Sequence, residues 1–316
     1  MFSILNRTIL PVLLAVICQG CFTGVESTPR ISSSDVRKET KDEGSVFSVQ
    51  EEKIASALVP PPPASWRVGD RFIVCDDKIS HTFISTPQEK LPAPGDTISF
   101  SGFSTFRNIL GENSTVANFI SAADDTLSYR IDTPLDVVLQ RNSLEIPFTI
   151  PQEMVSRAAS GLKGMKTFIN TSFRYGAEDG KRIEQKRFQP VEITDVRAGS
   201  VELPFKVYFK ETVNGPPTEY FLWMTPGNSR NSTRNFPALF SLSNPREKYP
   251  KITDEVWEAI VSGRVIRDMT RQECRLAIGS PSEVIHGRSY SYVYERWIYQ
   301  DGRNLIFEDG LLKSIR

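Results

Sequence analysis

Leu203, Phe205, Val207 and Phe209 alternate strictly with Pro204, Lys206 and Tyr208. A period of two sets one apolar face against a core and turns the other outward, the signature of a half-buried β-strand. Short runs of this kind recur from Trp66 onward, bounded by turn formers. Arg71–Cys75 precedes Asp76-Asp77, Gly95-Asp96 leads into Thr97–Phe103, and Asp124-Asp125 separates Ala117–Ala122 from Leu127–Ile131. Glu178-Asp179-Gly180 precedes Phe188–Val196, and Asn214-Gly215 returns the alternating strand into Tyr220–Met224. Asp, Asn and Gly suit such turns because they bond their own backbone or tolerate positive φ. The expected fold class is α+β and β-rich, with antiparallel sheets.

The chain of 316 residues is longer than one core usually spans, so several domains are expected. Composition shifts divide it into 1–20, a leader; 21–65, a polar tether and Pro-rich linker; 66–150, a first β module; 151–227, a second; and 236–316, a C-terminal module. Val68–Arg130 and Gly161–Met224 are nearly equal in length and open alike, so two copies of one small barrel are expected. In layout they look like SH3-like barrels of the bacterial envelope; a single larger β-sandwich is the alternative. Gln152–Leu162, between Pro151 and Gly161, reads as an amphipathic helix joining them. In the linker, Ser48 and Glu51 have capping-box spacing for a helix over Val49–Leu58, and Pro60–Pro63 is an extended spacer.

Ahead of the tether, Arg7 precedes an almost wholly apolar Ile9–Ile17, and Gly20 precedes Cys21. That is the layout of a secretory signal, and the run is shorter than the roughly 18–20 residues a spanning helix needs. The ending Cys18-Gln19-Gly20-Cys21 resembles a bacterial lipobox, with Cys18 where leucine is commonest. The resemblance implies that Cys21 becomes the lipidated first residue of the mature protein, a membrane anchor of the outer-membrane type.

In the C-terminal module, Asp254–Ser262 and the helix begun by Thr270-Arg271-Gln272-Glu273 have good start and stop signals, ending at Gly263 and Gly279. A strand over Ser289–Tyr299 carries Tyr290, Tyr292 and Tyr294 on one face and Trp297 and Tyr299 on the other. The tyrosine face is the candidate binding face. Asp301-Gly302 and Asp309-Gly310 then turn the chain through Asn304–Glu308 and Leu311–Ile315, giving a helix-helix-three-strand order. Met269-Thr270, Glu273, Gly279, Pro281, Trp297, Tyr299 and the Phe307–Leu311 strand-turn resemble the SmpA/OmlA (BamE-like) family of small outer-membrane lipoproteins. The resemblance implies two helices on a three-stranded antiparallel sheet and a non-catalytic scaffolding role.

Lys+Arg and Asp+Glu both total 38, so no bulk field draws the chain to nucleic acid. No cofactor is expected, because neither a phosphate-cradling G-x-x-x-x-G-K-[ST] nor a G-x-G-x-x-G occurs. No metal site is expected from the two histidines, His81 beside a strand end and His286 in a loop. No nucleophile elbow marks a catalytic serine. Asp76-Asp77 and Asp124-Asp125 read as hairpin turns and not as acid-base pairs. Cys75 and Cys274, in different modules, read as buried small side chains without a disulfide. The Asn-Ser-Thr triplets at 113 and 231 match a glycosylation acceptor, which a bacterial leader makes chance matches. The function expected is a non-catalytic, lipid-anchored envelope protein that binds other proteins at the outer membrane; the alternative is a peptidoglycan-binding lipoprotein.

Overall fold

The computed structural model describes residues 30–31, 48–83, 92–107, 111, 113–212, 218–229, 232–288 and 293–316. Cys18, Cys21, Asn214-Gly215, Asn231, Tyr290 and Tyr292 lie outside the described residues.

A two-residue strand β1 (Arg30–Ile31) precedes helix α1 (Val49–Ala57). The first module contains β2 (Arg71–Val74), β3 (Thr97–Arg107), β4 (Asn113–Ile120), β5 (Thr126–Ile131), α2 (Leu135–Leu139) and β6 (Thr149–Pro151). Helix α3 (Gln152–Leu162) leads into β7 (Lys166–Ile169), β8 (Phe173–Gly176), β9 (Arg182–Glu184), β10 (Gln189–Ala198), β11 (Phe205–Glu211) and β12 (Glu219–Met224). Then come α4 (Phe236–Leu239), β13 (Phe240–Ser241) and α5 (Pro245–Lys248). The C-terminal module has α6 (Asp254–Val261), α7 (Arg271–Ile278), β14 (Glu283–Arg288), β15 (Val293–Ile298), β16 (Asn304–Glu308) and β17 (Leu311–Ile315).

The protein is α+β and strand-rich, and every strand pairing is antiparallel among the described residues. The first sheet runs β5-β4-β3-β2-β6 and the middle sheet β13-β7-β10-β11-β12-β8-β9. Neither closes into a barrel, which corrects the expectation of two small barrels. The two also differ in strand order, so equal length did not signal a shared topology. Length and turn spacing report local strands; closure depends on which distant edges meet.

Local signals set the helices. Ser48 Oγ accepts the Glu51 N–H while Glu51 Oε2 accepts the Ser48 N–H at 2.7 Å, closing the capping box of α1. The other carboxylate oxygen of this buried glutamate accepts the Leu242 N–H at 2.8 Å, tying α1 to the middle module. Helix α3 buries Met154, Val155, Ala158 and Leu162 against β10. This one-sided stripe is what the helical period demands, and each large member stabilises the packing by roughly 1.5–3 kcal/mol. Phe205, Val207 and Phe209 of β11 and Leu222 and Met224 of β12 complete that core.

The first module has a separate core in which Trp66 meets Phe72 and Phe100 edge-on at 4.8 and 5.3 Å. Asp76 does not turn a hairpin there. Its side chain accepts the Lys78 N–H and caps a short 3-10 helix, Asp77–His81. Asp124, with φ of 64°, does occupy the β4–β5 turn. The β16–β17 turn uses left-handed backbone at both Asp309 and Gly310, with φ of 48° and 86°.

The C-terminal sheet runs β1-β14-β15-β16-β17, not three strands. Val284-Ile285-His286-Gly287 lies within strand β14, so His286 is on a strand and not in a loop. The glycine interrupts the apolar pattern by which a strand is recognised, and its reason is local. A Cβ at Gly287 would lie 2.1 Å from the ring of its cross-strand partner Tyr294. Helices α6 and α7 cover the face carrying Val284, Trp297, Leu305, Phe307 and Leu312.

Candidate interaction surface

The inner faces of β10, β11 and β12 are spent on the core. Their outward positions are aligned by register: Arg197 opposes Lys206, and Lys206 opposes Trp223. In the next row Asp195 opposes Tyr208, Tyr208 opposes Phe221, and Phe221 opposes Tyr175 on β8. Four aromatic rings thus stand in adjacent positions on the side facing away from α3. Tyr175 stacks on Phe221 at 5.3 Å with 22° between planes, and Phe221 meets Trp223 edge-on at 5.5 Å.

Two cations lie over this band. Lys206 Nζ is 4.0 Å from the Phe221 centroid and 5.4 Å from both Tyr208 and Trp223. The Arg197 guanidinium is 4.2 Å from the Tyr208 ring. Cations over ring faces are attracted by the ring quadrupole. Asp195 holds Arg197 at 2.9 Å, and that hydrogen bond pushes the guanidinium further toward its charged form. Covered in this way, Tyr208 and Phe221 are 5% and 2% exposed, while Trp223 remains half-buried and Arg197 is exposed. Gly199 keeps the β10–β11 turn close to the indole, since a Cβ there would sit 2.8 Å from the Trp223 ring. At the far end the polar groups satisfy one another: Lys210 pairs with Glu192 at 3.5 Å, and Thr194 donates to Glu219 at 2.5 Å.

The expected tyrosine face is described only at Tyr294, which lies half-buried on Gly287. On the covered side of the same sheet, Glu295 gathers several partners. Arg271 reaches Glu295 Oε1 at 2.6 Å, His286 Nδ1 lies 3.5 Å from that oxygen, and Trp297 Nε1 donates to Oε2 at 3.1 Å. This is a shared-anion brace that fixes β14, β15 and α7. His81 is exposed at the end of its 3-10 helix. No group of three potential metal ligands gathers among the described residues.

Burial pushes the Cys75 thiol up to about 11, with Asp76 and Glu202 adding to it. Burial also pushes Cys274 up to about 12, with Glu273 adding. Neither is the low-pKa thiol that nucleophilic chemistry uses. Both cysteines are free.

A cleft of about 490 Å³ separates the middle and C-terminal modules, lined by Asn170, Ser172, Arg187, Gly263, Gly279 and Arg303 among others. Its floor is structural. Arg187 donates to the carbonyls of Asn170, Leu276 and Ala277 at 2.7, 2.6 and 2.9 Å, and its N–H donates to Val261 at 2.8 Å. It therefore binds the C-terminal ends of both α6 and α7, where unpaired carbonyls and the helix dipole favour a cation. Burial lowers its pKa. Phe188 stacks on Trp257 at 5.5 Å beside it, and Lys186 pairs with Glu258.

Comparisons with protein-family models, with curated proteins and with solved structures find no match.

The aromatic-cation band was partly visible in the sequence. Tyr208 occupies an outward position of the strict alternation, and Tyr220–Met224 is apolar on both parities. What the sequence did not contain is the cross-strand register that sets Tyr175, Tyr208, Phe221 and Trp223 side by side.

Proposed function

We propose that this chain is a non-catalytic, lipid-anchored protein of the bacterial cell envelope that binds other proteins at the outer membrane. Delivery and anchoring rest on the leader that ends at Cys21. The binding role rests on the outer face of the middle sheet. An antiparallel sheet with one face on a core ordinarily turns polar residues to water. Here the outward positions carry Tyr175, Tyr208, Phe221 and Trp223 with Arg197 and Lys206, and Trp223 is half-buried while Arg197 is exposed. Tyr, Trp and Arg are the residue types that concentrate binding energy at protein interfaces.

On this reading the C-terminal module belongs with SmpA/OmlA-like lipoproteins; the order of two helices followed by antiparallel strands supports it, and β14 and β1 extend that pattern. The first and middle modules are then opened relatives of SH3-like barrels. The antiparallel first sheet supports that kinship, while its open edges and the different strand order of the middle sheet count against two equivalent barrels. A peptidoglycan-binding role is the second reading, favoured by the half-buried Trp223 indole beside Lys206.

Two experiments separate these. A photo-crosslinking residue at position 223 in intact cells should give discrete protein adducts, and Arg197→Ala should weaken them. Retention of the purified body on isolated sacculi, lost in Trp223→Ala, would favour the wall reading instead. For the anchor, Cys21→Ala should release the protein from membranes; unchanged fractionation would count against lipidation.

A further inference from the structure

β5 is an open edge of the first sheet. All of its residues, Thr126–Ile131, pair with β4 on one side, and no described strand pairs with it on the other. The phase of that ladder is set at the turn, where the Ser121 N–H donates to the Asp125 carbonyl at 2.9 Å. In an antiparallel pair, residues that exchange backbone bonds alternate with residues whose backbone groups point the other way. Leu127, Tyr129 and Ile131 therefore bond to β4, and Thr126, Ser128 and Arg130 turn their N–H and C=O groups outward. Among the described residues nothing bonds to those outward groups. Sheets commonly blunt such an edge with a short strand and charged side chains. β9, an open edge of the middle sheet, is blunted so: it is only Arg182–Glu184, with a charge at each end. β5 is longer, and its one charged residue, Arg130, is taken up by Asp132 at 2.9 Å.

A groove of about 320 Å³ lies beside this edge, lined by Tyr129, Ile131, Arg141, Ser143, Leu144 and Glu145. Tyr129 and Ile131 share the inner face of β5 with the fully buried Leu127. A residue laid opposite Tyr129 on an added strand points to that same face, and so into the groove. Arg141 and Glu145 bring opposite charges to it, a balance that favours neither a phosphate nor an anionic surface. A second copy of the chain fills it poorly. Two-fold pairing of β5 with itself sets the copy's Leu127, Tyr129 or Ile131 opposite Tyr129, and those side chains pack on their own core.

We infer that β5 is a strand-addition site: an extended segment of a partner protein pairs with Thr126, Ser128 and Arg130 and sets an uncharged side chain into the groove beside Tyr129. This contact is separate from the aromatic band of the middle sheet and independent of the anchor. The added strand lies two strand spacings, about 10 Å, from β4, so the outer-face side chains of β4 take no part in it.

The test selects random peptides displayed on phage against the full-length chain in detergent and measures synthetic copies of the enriched peptides by fluorescence anisotropy. Ser128→Pro removes an outward N–H and leaves the ladder to β4 intact, a setting in which a strand accepts proline, and affinity should fall roughly tenfold. Ser143→Trp, which fills the groove from an exposed position, should do the same. Ser128→Ala, which keeps the N–H and loses only the side-chain bond to Asn118, should bind like the parent chain. Methylating alternate peptide nitrogens should abolish binding in one phase and be tolerated in the other, as pairing along one edge requires. Should Ser128→Pro fail to fold, Ser143→Trp and the methylated peptides decide. Failure to enrich any peptide, unchanged affinity in Ser143→Trp, or methylation tolerated in both phases overturns the site. So does a dimer of the chain that Ser128→Pro or Ser143→Trp dissociates, since the occupant would then be a second copy.

Discussion

On the outer face of the first sheet, Asn118 donates to Ser104 at 3.0 Å and accepts from Ser128 at 2.9 Å. On the outer face of the middle sheet, Tyr208 and Phe221 stand where those polar groups would be, under Arg197 and Lys206. Both sheets bury phenylalanines on the inner side, Phe72, Phe100 and Phe119 in one and Phe205 and Phe209 in the other. The difference is confined to the outward positions. A Ser-Asn-Ser ladder is complete in water, because each group has its partner and the remainder is solvated. The aromatic band in the same place buries Tyr208 and Phe221 beneath its own cations and leaves the Tyr175 and Trp223 rings half-buried side by side at its edge, the residue types that concentrate binding energy. The first sheet does carry Phe106 outward at its end, beneath Arg130 at 5.0 Å, but as an isolated ring. The contrast marks the middle sheet as the face built for contact.

The largest expected effects test what the two sheets share. Phe119→Ala and Phe209→Ala should each cost about 3–5 kcal/mol, the range for deleting a buried phenylalanine. Native-state hydrogen exchange should localise the loss to β3–β5 for the first variant and to β10–β12 for the second. Spread of both losses across both sheets would show one cooperative core instead of two.

Next come the outer faces. Trp223→Ala should weaken partner capture by about 2 kcal/mol, or roughly thirtyfold, a hot-spot effect. Asn118→Ala should leave capture unchanged and cost the first sheet about 1 kcal/mol. Equal loss of capture in the two variants would erase the distinction.

A pH series sharpens the boundary between the sheets. Cys75 follows β2 yet packs at the edge of the middle core, with Glu202 nearby. Its folded pKa is raised from 9.0 to about 11, and that of Cys274 from 9.0 to about 12. The folded state therefore holds these protons more tightly than the unfolded chain. Their contribution to stability is complete below pH 9 and is lost as pH rises through 11 and 12. Urea midpoints should fall from pH 9 upward, and Cys75→Ala should flatten part of that fall. A midpoint that rises with alkali would contradict the burial of the thiols.

The smallest effect belongs to Lys206→Met. Removing the ammonium from above three rings while keeping the stem should cost about 0.5–1 kcal/mol, read by hydrogen exchange in β11 and β12. No loss, or a gain, would make Lys206 a solvated charge without a role in covering the aromatics.

How far the sequence spoke depended on the range of the interaction. The capping boxes at Ser48 and Thr270, the full extent of α3, and the turn at Asp309-Gly310 are all written within a few residues of one another, and the structure contains them. Pairings across long separations were silent. β13 joins β7, and β1 joins β14, through backbone groups that leave no composition signal. β14 was missed because Gly287 interrupts its apolar run, although that glycine exists to admit the Tyr294 ring. The candidate site lies between these cases: its aromatic residues were legible one by one, and their assembly was not. Arg187 was wholly illegible, since nothing near it in sequence announces two helix ends.

The most direct measurement is site-resolved photo-crosslinking in intact cells with the reactive residue placed at 223 or at 118. The expected result is discrete adducts from position 223, reduced by Arg197→Ala, and none from position 118. Adducts of equal yield from both positions, or from 118 alone, would contradict a binding face on the middle sheet.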